Sequence, residues 1–421
     1  YRKKIFIENK DREKQIFLRF QGANTQTELF VNGKSAGIHK GGYTAFIFDI
    51  TPFLIFGAEN LLAVRVNNEY TEEIAPLTAD FTFYGGIYRE MELIKKNRIH
   101  FSFGEYAARG IKITTPLVTD NTAECIINAE IENNTNSEKT LKVIAKTEKN
   151  TDFPENPFIE KTDFSETSLE QKEFEEEKSS VIIIPANSKQ EISFSFTINN
   201  PHLWNGRKDP FLYRGTLEIR ENGELLDKVS DTMGLRYFHA DKEKGFFLNG
   251  KSYPLRGVSR HQDREGLGNA LTVKEHNEDF AIIYDMGVNS IRLAHYPQAE
   301  YFYRLCDSYG IVVWAEIPVV DLIGGNGTYE APDEKRKEFF HTTKQQLKEM
   351  IHQNYNHASI VCWGIQNEIM AKFDEVMRPF TKELHQTAKA EDAYRYTVMA
   401  TNHNKAENWT SDLIAWNVYP G

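Results

Sequence analysis

From Tyr1 to about Lys96, apolar and polar residues alternate in short runs such as QIFLRF, TELFVNGKSAG, TAFIFDI and NLLAVRVNN, separated by turn residues. Alternation with period two gives a strand one buried and one wet face, and Asn32-Gly33 is the residue pair a tight hairpin favours. The pattern predicts a β-sandwich over residues 1–96, in which YRKKIFI already reads as a strand. A second series, GIKITTPLV, AECIINAEIEN, TLKVIAKTE, VIIIP, EISFSFTI and YRGTLEIREN, predicts another all-β unit over 97–236. Its size suits an immunoglobulin-like sandwich.

After Tyr237 the period changes. Strand-like PLRGVSRH, VNSIRLAHYP, IVVWAEIP, SIVCWGIQNE, YTVMA and LIAWNVYPG alternate with helical stretches such as TVKEHNEDFAIIYDMG, AEYFYRLCDSYG and a long run from about Glu334 to Tyr355. Apolar strands alternating with amphipathic helices build parallel β/α units. The six strands over 237–421 predict an incomplete (β/α)8 TIM barrel, with functional groups at the C-terminal strand ends. A closed barrel needs more strands than these, so further sequence beyond Gly421 is expected.

Composition narrows the function. With 61 acidic against 50 basic residues and a net charge of -11, the chain lacks the basic footprint that nucleic acid demands. The acidic excess falls between Glu155 and Lys178, where EKTDFSETSLEQKEFEEEK reads as a solvated insertion. No apolar run approaches the roughly 18 residues of a membrane span, and nothing resembles a signal peptide, although a leader ahead of Tyr1 is left open. Cys125, Cys306 and Cys362 sit in apolar or helical patterns without metal-ligand spacing and are expected to be reduced, buried thiols. Abundant Phe and Tyr serve a β-rich core or a sugar-stacking surface equally well.

The strand ends carry the candidate chemistry. His261 follows the first strand, Arg292 and His295 the second and Glu316 the third; Asn367 and Glu368 close the fourth, and Trp416, Asn417 and Tyr419 the sixth. Each alone has an ordinary structural use, Glu368 as an ion-pair partner and Tyr419 or Trp416 as a core cap; His352 and His357 read as structural. Convergence on one barrel mouth favours chemistry instead. Splitting a glycosidic bond needs one carboxyl group to protonate the leaving oxygen and a second to attack or stabilise the anomeric carbon. Glu368 has the position of the acid, and Asn367 that of a hydroxyl ligand beside the developing charge.

At this point the chain resembles glycoside hydrolase family 2, the β-galactosidases, β-glucuronidases and β-mannosidases. The resemblance covers essentially the whole chain: FYGGIYRE at 83–90, LWNGRKDPFLY at 203–213, GLRYFHADKEKGFFLNGKSYPLRGVSRHQD at 234–263, SIRLAHYPQAEYFYRLCDSYGIVVWAEIP at 290–318 and the Asn-Glu pair at 367–368. It implies an N-terminal jelly-roll-like, sugar-binding sandwich and a retaining exo-acting mechanism, with Glu368 as general acid/base and Asn367 on the sugar 2-hydroxyl. By the same resemblance Arg292 positions the nucleophile, His261, His295 and Asp80 bind substrate, Tyr419 binds substrate near the nucleophile, and a segment ahead of the first sandwich strand is missing; Trp416, at the sixth strand end, is a further substrate-binding candidate. That nucleophile, a Glu on a seventh strand, is expected beyond Gly421, which would leave the fragment inactive alone.

On overall resemblance the expected activity is β-galactosidase, with β-glucuronidase the alternative and β-mannosidase third. A non-catalytic carbohydrate-binding protein is the competing class if the chain ends near Gly421. The expected partner is a carbohydrate; a homo-oligomer is left open. No metal or cofactor is assigned, because EIPVVDLIGG replaces the Glu-x-His metal motif of some family galactosidases, and a structural or activating Mg or Na ion stays open. A bacterial periplasmic or cytoplasmic setting is the expectation from the resemblance and the low cysteine count.

Overall fold

The computed structural model describes residues 1–150, 175–320, 333–369, 374–402 and 404–419. Its first unit stacks two antiparallel sheets. One has the order Arg2–Ile7, Ala58–Asn67, Gln26–Val31, Lys34–Lys40, and the other Phe46–Asp49, Lys14–Phe20, Met91–Asn97. Burial alternates residue by residue along Gln26–Val31, as period two requires, and Leu18, Phe20, Leu29, Val31, Phe46 and Leu62 from both sheets share one core. The Asn32-Gly33 hairpin is present, with both residues at positive φ (51° and 81°).

The second unit is also a two-sheet sandwich. Thr122–Asn133 pairs with Ile99–Phe101, Lys112–Val118 and Ser188–Asn199, while the facing sheet runs Glu175–Ile184, Lys139–Lys149, Tyr213–Glu221, Glu224–Met233. Most of the acidic stretch, 155–174, lies outside the described residues. Its end departs from the expected solvated insertion, because Glu175 to Lys178 open a strand that begins earlier than VIIIP. Cross-strand charge explains the extension: Glu177 stands opposite Lys146, and the two form an ion pair at 3.0 Å.

A small antiparallel sheet, Phe238–Asp241, Gly245–Leu248 and Lys251–Ser252, comes next; the pattern did not reveal it because its strands are too short to display a period. Phe238 and Phe246 pack with Val312, Val361 and Val398, near the starts of three barrel strands, and so cover the bottom of the barrel.

The barrel strands are β1 (Gly257–Arg260), β2 (Ser290–Leu293), β3 (Val312–Glu316), β4 (Ile360–Asn367), β5 (Tyr396–Thr401) and β6 (Leu413–Trp416). They form one parallel sheet in sequence order, curled into a half-barrel. Helices α1 (Val273–Asp285), α2 (Glu300–Tyr309), α3 (Asp333–Asn354) and α4 (Asp374–Glu391) connect them. Helix α1 starts where the sequence says it should, at a capping box in which Thr272 and Glu275 satisfy each other's backbone donors. Gly310 ends α2 in the left-handed conformation, where only glycine is free of strain.

Among the contacts that hold the first sandwich against the barrel, two come from FYGGIYRE and the loop before it. Arg89, from FYGGIYRE, donates to the Tyr43 carbonyl on its own unit and to the Pro297 carbonyl (2.9 Å) and Gln262 side chain (3.2 Å) of the barrel. Ala75 and Leu77, from the loop that ends at FYGGIYRE, join the barrel's own core. That loop therefore reaches the C-terminal ends of the strands. His352 and His357 are bound elsewhere, to Glu391 (2.8 Å) and Asp307 (2.6 Å), and the three cysteines are free and buried.

Candidate active site

Parallel strands place all their C-terminal residues at one mouth. Strand β4 is buried along its whole length, so its polar residues emerge only at the end. Glu368 leaves the strand at φ 57°, a left-handed conformation that costs a non-glycine residue about 1 kcal/mol or more. Two backbone bonds stabilise this turn: Asn367 N–H donates to the Val319 carbonyl (2.8 Å) and Glu368 N–H to the Ala400 carbonyl (3.0 Å). The half-buried Glu368 carboxyl then accepts three side-chain hydrogen bonds. Asn417 and the Tyr419 hydroxyl (2.6 Å) donate to Oε1, and Asn402 donates to Oε2 (3.1 Å). The Tyr419 hydroxyl is pushed up to about 12, first by its bond to Glu368 and then by burial.

Arg292 is the hub beneath Glu368. Its Nε donates to Glu316 Oε1 (2.5 Å), one terminal nitrogen to Asn367 Oδ1 (2.7 Å) and the other to Asn417 Oδ1 (3.3 Å), while its guanidinium lies 4.2 Å over the Trp314 ring. Glu316, fully buried, also meets His295 Nδ1 at 2.7 Å. Burial alone would push the Glu316 carboxyl up; the Arg292 charge and the His295 contact outweigh it and hold the group below its ordinary range.

His261 and His295 face each other edge to face at 5.3 Å, and Phe81 from the sandwich loop packs against both. Burial, and then the neighbouring His295, holds the His261 imidazole below its usual value, and its buried Nδ1 has no protein partner among the described residues. Asp80, one residue before Phe81, is exposed, and its charge acts on both His261 and Tyr419. Thus Asp80, His261, Arg292, His295, Asn367, Glu368 and Tyr419 come together at one mouth. Trp416 departs from the group. Side chains alternate along a strand, so Asn417 turns toward Glu368 while the Trp416 ring packs edge to face on Trp409 at 5.7 Å.

Sequence reasoning missed Asn402 and Phe81. Asn402 was readable, since it is the first polar residue after β5, but the strand was ended at Ala400 rather than Thr401. Phe81 gave no signal, because its loop has no period and only the docking of two units brings it to the mouth. Part of EIPVVDLIGG, from Asp321 onward, lies outside the described residues.

Comparison with known proteins agrees in order and extent. Residues 1–97 match the sugar binding domain of glycosyl hydrolases family 2, residues 107–236 a further glycosyl hydrolases family 2 model, and residues 240–419 the TIM barrel domain of that family. A β-glucuronidase of Bacteroides fragilis is 39% identical over 100% of this chain and 57% of its own length. A β-galactosidase of Thermoanaerobacter pseudethanolicus is 30% identical over 94% of this chain and 48% of its own. The structure of Bacteroides uniformis β-glucuronidase 2 covalently bound to cyclophellitol-6-carboxylate aziridine superposes with a TM-score of 0.89 at 33% identity, covering 100% of this chain and 49% of that one. The chain thus spans about half the length of these relatives. Three consecutive matches of one family, laid along nearly all of the sequence in the order in which the units fold, place this chain in glycoside hydrolase family 2.

Proposed function

We propose that this chain belongs to a retaining exo-β-glycosidase that removes terminal β-linked glucuronic acid, with Glu368 as general acid/base. One observation carries the catalytic assignment: the Glu368 carboxyl is held at the strand mouth by Asn417, Asn402 and Tyr419, where a glycosidic oxygen would meet it. Asn367 Oδ1 accepts from Arg292 and from Asn417 (3.0 Å), so the orientation of the amide is set and its Nδ2 is left to donate to a sugar hydroxyl. The other mouth carboxyls suit other work. Glu316 is locked in an ion pair, Asp80 is an exposed hydroxyl ligand on the sandwich loop, and Asp263, exposed beside His261, follows the first strand rather than the seventh, where the resemblance expects the attacking Glu. The attacking carboxylate of a retaining pair is therefore assigned to none of the described residues.

The glucuronide choice replaces the expected galactoside. It rests on identity, 39% to a β-glucuronidase against 30% to a β-galactosidase, and on no residue among those described at this mouth. In the full-length protein, kcat/KM for 4-nitrophenyl β-glucuronide is expected to exceed that for the β-galactoside by at least about 100-fold, since a site built to pair a substrate carboxylate discriminates strongly against its absence. The opposite order overturns the glucuronide assignment and leaves the glycosidase standing.

The sandwich contribution has its own test. Asp80→Ala is expected to raise KM about tenfold, the loss of one charge-assisted hydrogen bond of about 1.5 kcal/mol, with an unchanged melting temperature because the side chain is exposed. An unchanged KM would remove Asp80 from the sugar site.

A further inference from the structure

Among the described acidic residues of the mouth, Glu316 alone is fully buried, and it touches both Arg292 and His295. A buried carboxylate is costly unless its lone pairs are used, and Glu316 uses one oxygen on each partner: Oε1 on Arg292 and Oε2 on His295. The two contacts have different consequences. A carboxylate held below its ordinary range only accepts hydrogen bonds, so the proton at 2.7 Å must sit on His295 Nδ1. The guanidinium nitrogen of Arg292 that lies 3.3 Å from the same Nδ1 can then be a neighbour but not a donor to it. With Nδ1 committed, Nε2 is the ring nitrogen of His295 left for a ligand, since the hydrogen bonds of His295 to described residues all fall on Nδ1. On the other side, anchoring Nε leaves the two terminal nitrogens of Arg292 to reach Asn367 and Asn417, and both asparagines border Glu368.

We infer that Glu316 is a positioning residue: it fixes His295 in the Nδ1–H form, with Nε2 presented to a sugar hydroxyl, and holds Arg292 where it orients Asn367 and Asn417 around Glu368. It is neither the proton donor nor the attacking group. The inference rests on the glycosidase reading, and four strand ends, those of β2, β3, β4 and β6, depend on this one side chain. Misplacing such contacts by about 1 Å costs on the order of 100-fold in rate.

The test uses the full-length protein and two variants. Glu316→Gln replaces one acceptor by a donor, so it cannot serve Arg292 and His295 Nδ1–H together. Glu316→Asp keeps the charge that neutralises Arg292, and hence the fold, but withdraws the carboxylate by one methylene. Glu316→Gln is expected to raise KM for an aryl β-glucuronide about tenfold and lower kcat about tenfold, to the same degree for good and poor leaving groups; Glu316→Asp should fall between it and the wild type. Simple loss of folded enzyme lowers apparent kcat and leaves KM where it was. A KM within twofold of wild type, in Glu316→Gln or, should that variant not fold, in Glu316→Asp, overturns the inference. A loss confined to poor leaving groups overturns it too, since the effect would then run through proton donation alone and not through His295 and sugar binding. Failure of the wild type to hydrolyse any aryl glycoside removes the glycosidase reading instead.

Discussion

Glu368→Gln in the full-length protein is expected to lower kcat/KM by about 1000-fold on a glucuronide whose leaving group is a poor one, such as an aliphatic alcohol. General acid catalysis contributes about 10²–10⁴-fold, and an amide of the same shape cannot give up a proton. The same variant should keep most of its glycosylation rate on an activated aryl glucuronide, whose departing phenolate needs little protonation. The contrast between substrates is the informative quantity, because Gln Oε1 can still accept from Asn417 and Tyr419, only the Asn402 bond to the second oxygen is lost, and the local structure should be preserved. Measuring burst and steady-state rates on both substrates checks it. Equal losses on the two would show that Glu368 does not supply the proton, and the catalytic assignment would move elsewhere in the mouth.

The second large effect is on stability. Arg292→Met strands Glu316 in the interior, where breaking a buried pair from one side costs about 3–5 kcal/mol at neutral pH. The pH dependence follows from the direction of the Glu316 shift. In the wild type the folded carboxyl titrates below its unfolded value of 4.5, so the pair's contribution is complete above that value and is lost as pH falls through the folded one. In the variant only the His295 contact still opposes burial, so the carboxyl rises relative to the wild type and protonation relieves part of the penalty. The stability gap between wild type and variant should therefore narrow from pH 7 toward pH 5. Urea titrations followed by tryptophan fluorescence would measure it, with Trp314 stacked directly under Arg292 as a local reporter. An equal deficit at both pH values would show that the arginine acts by packing alone.

Glu368 and Arg292 also mark how far the sequence could be read. Both were visible as strand-end residues, because a buried parallel strand is apolar throughout and a polar residue at its end stands out. Their relation was not visible. Arg292 and Asn417 are 125 residues apart in the chain and Glu368 and Tyr419 are 51 apart, yet each pair is in contact. Glu316 is visible at the third strand end, but nothing local says that it is buried between a guanidinium and an imidazole. Trp416 stands at the sixth strand end and so reads as a substrate ligand; strand parity, which turns neighbouring side chains to opposite faces, puts its ring on Trp409 instead.

What the sequence determined by itself is what a window of ten or twenty residues can encode. Period two specified both sandwiches, the Asn32-Gly33 pair specified its hairpin, and the alternation of apolar strands with capped amphipathic helices specified parallel β/α units. Tertiary structure alone decided which strand-end groups meet, how Asp80 and Phe81 reach the mouth from another unit, and which oxygen of Glu316 serves which base. The reason is physical: backbone periodicity is satisfied within each element, whereas the partners of a buried charge are set by the curvature of the sheet and the docking of the sandwich, which depend on packing over the whole chain.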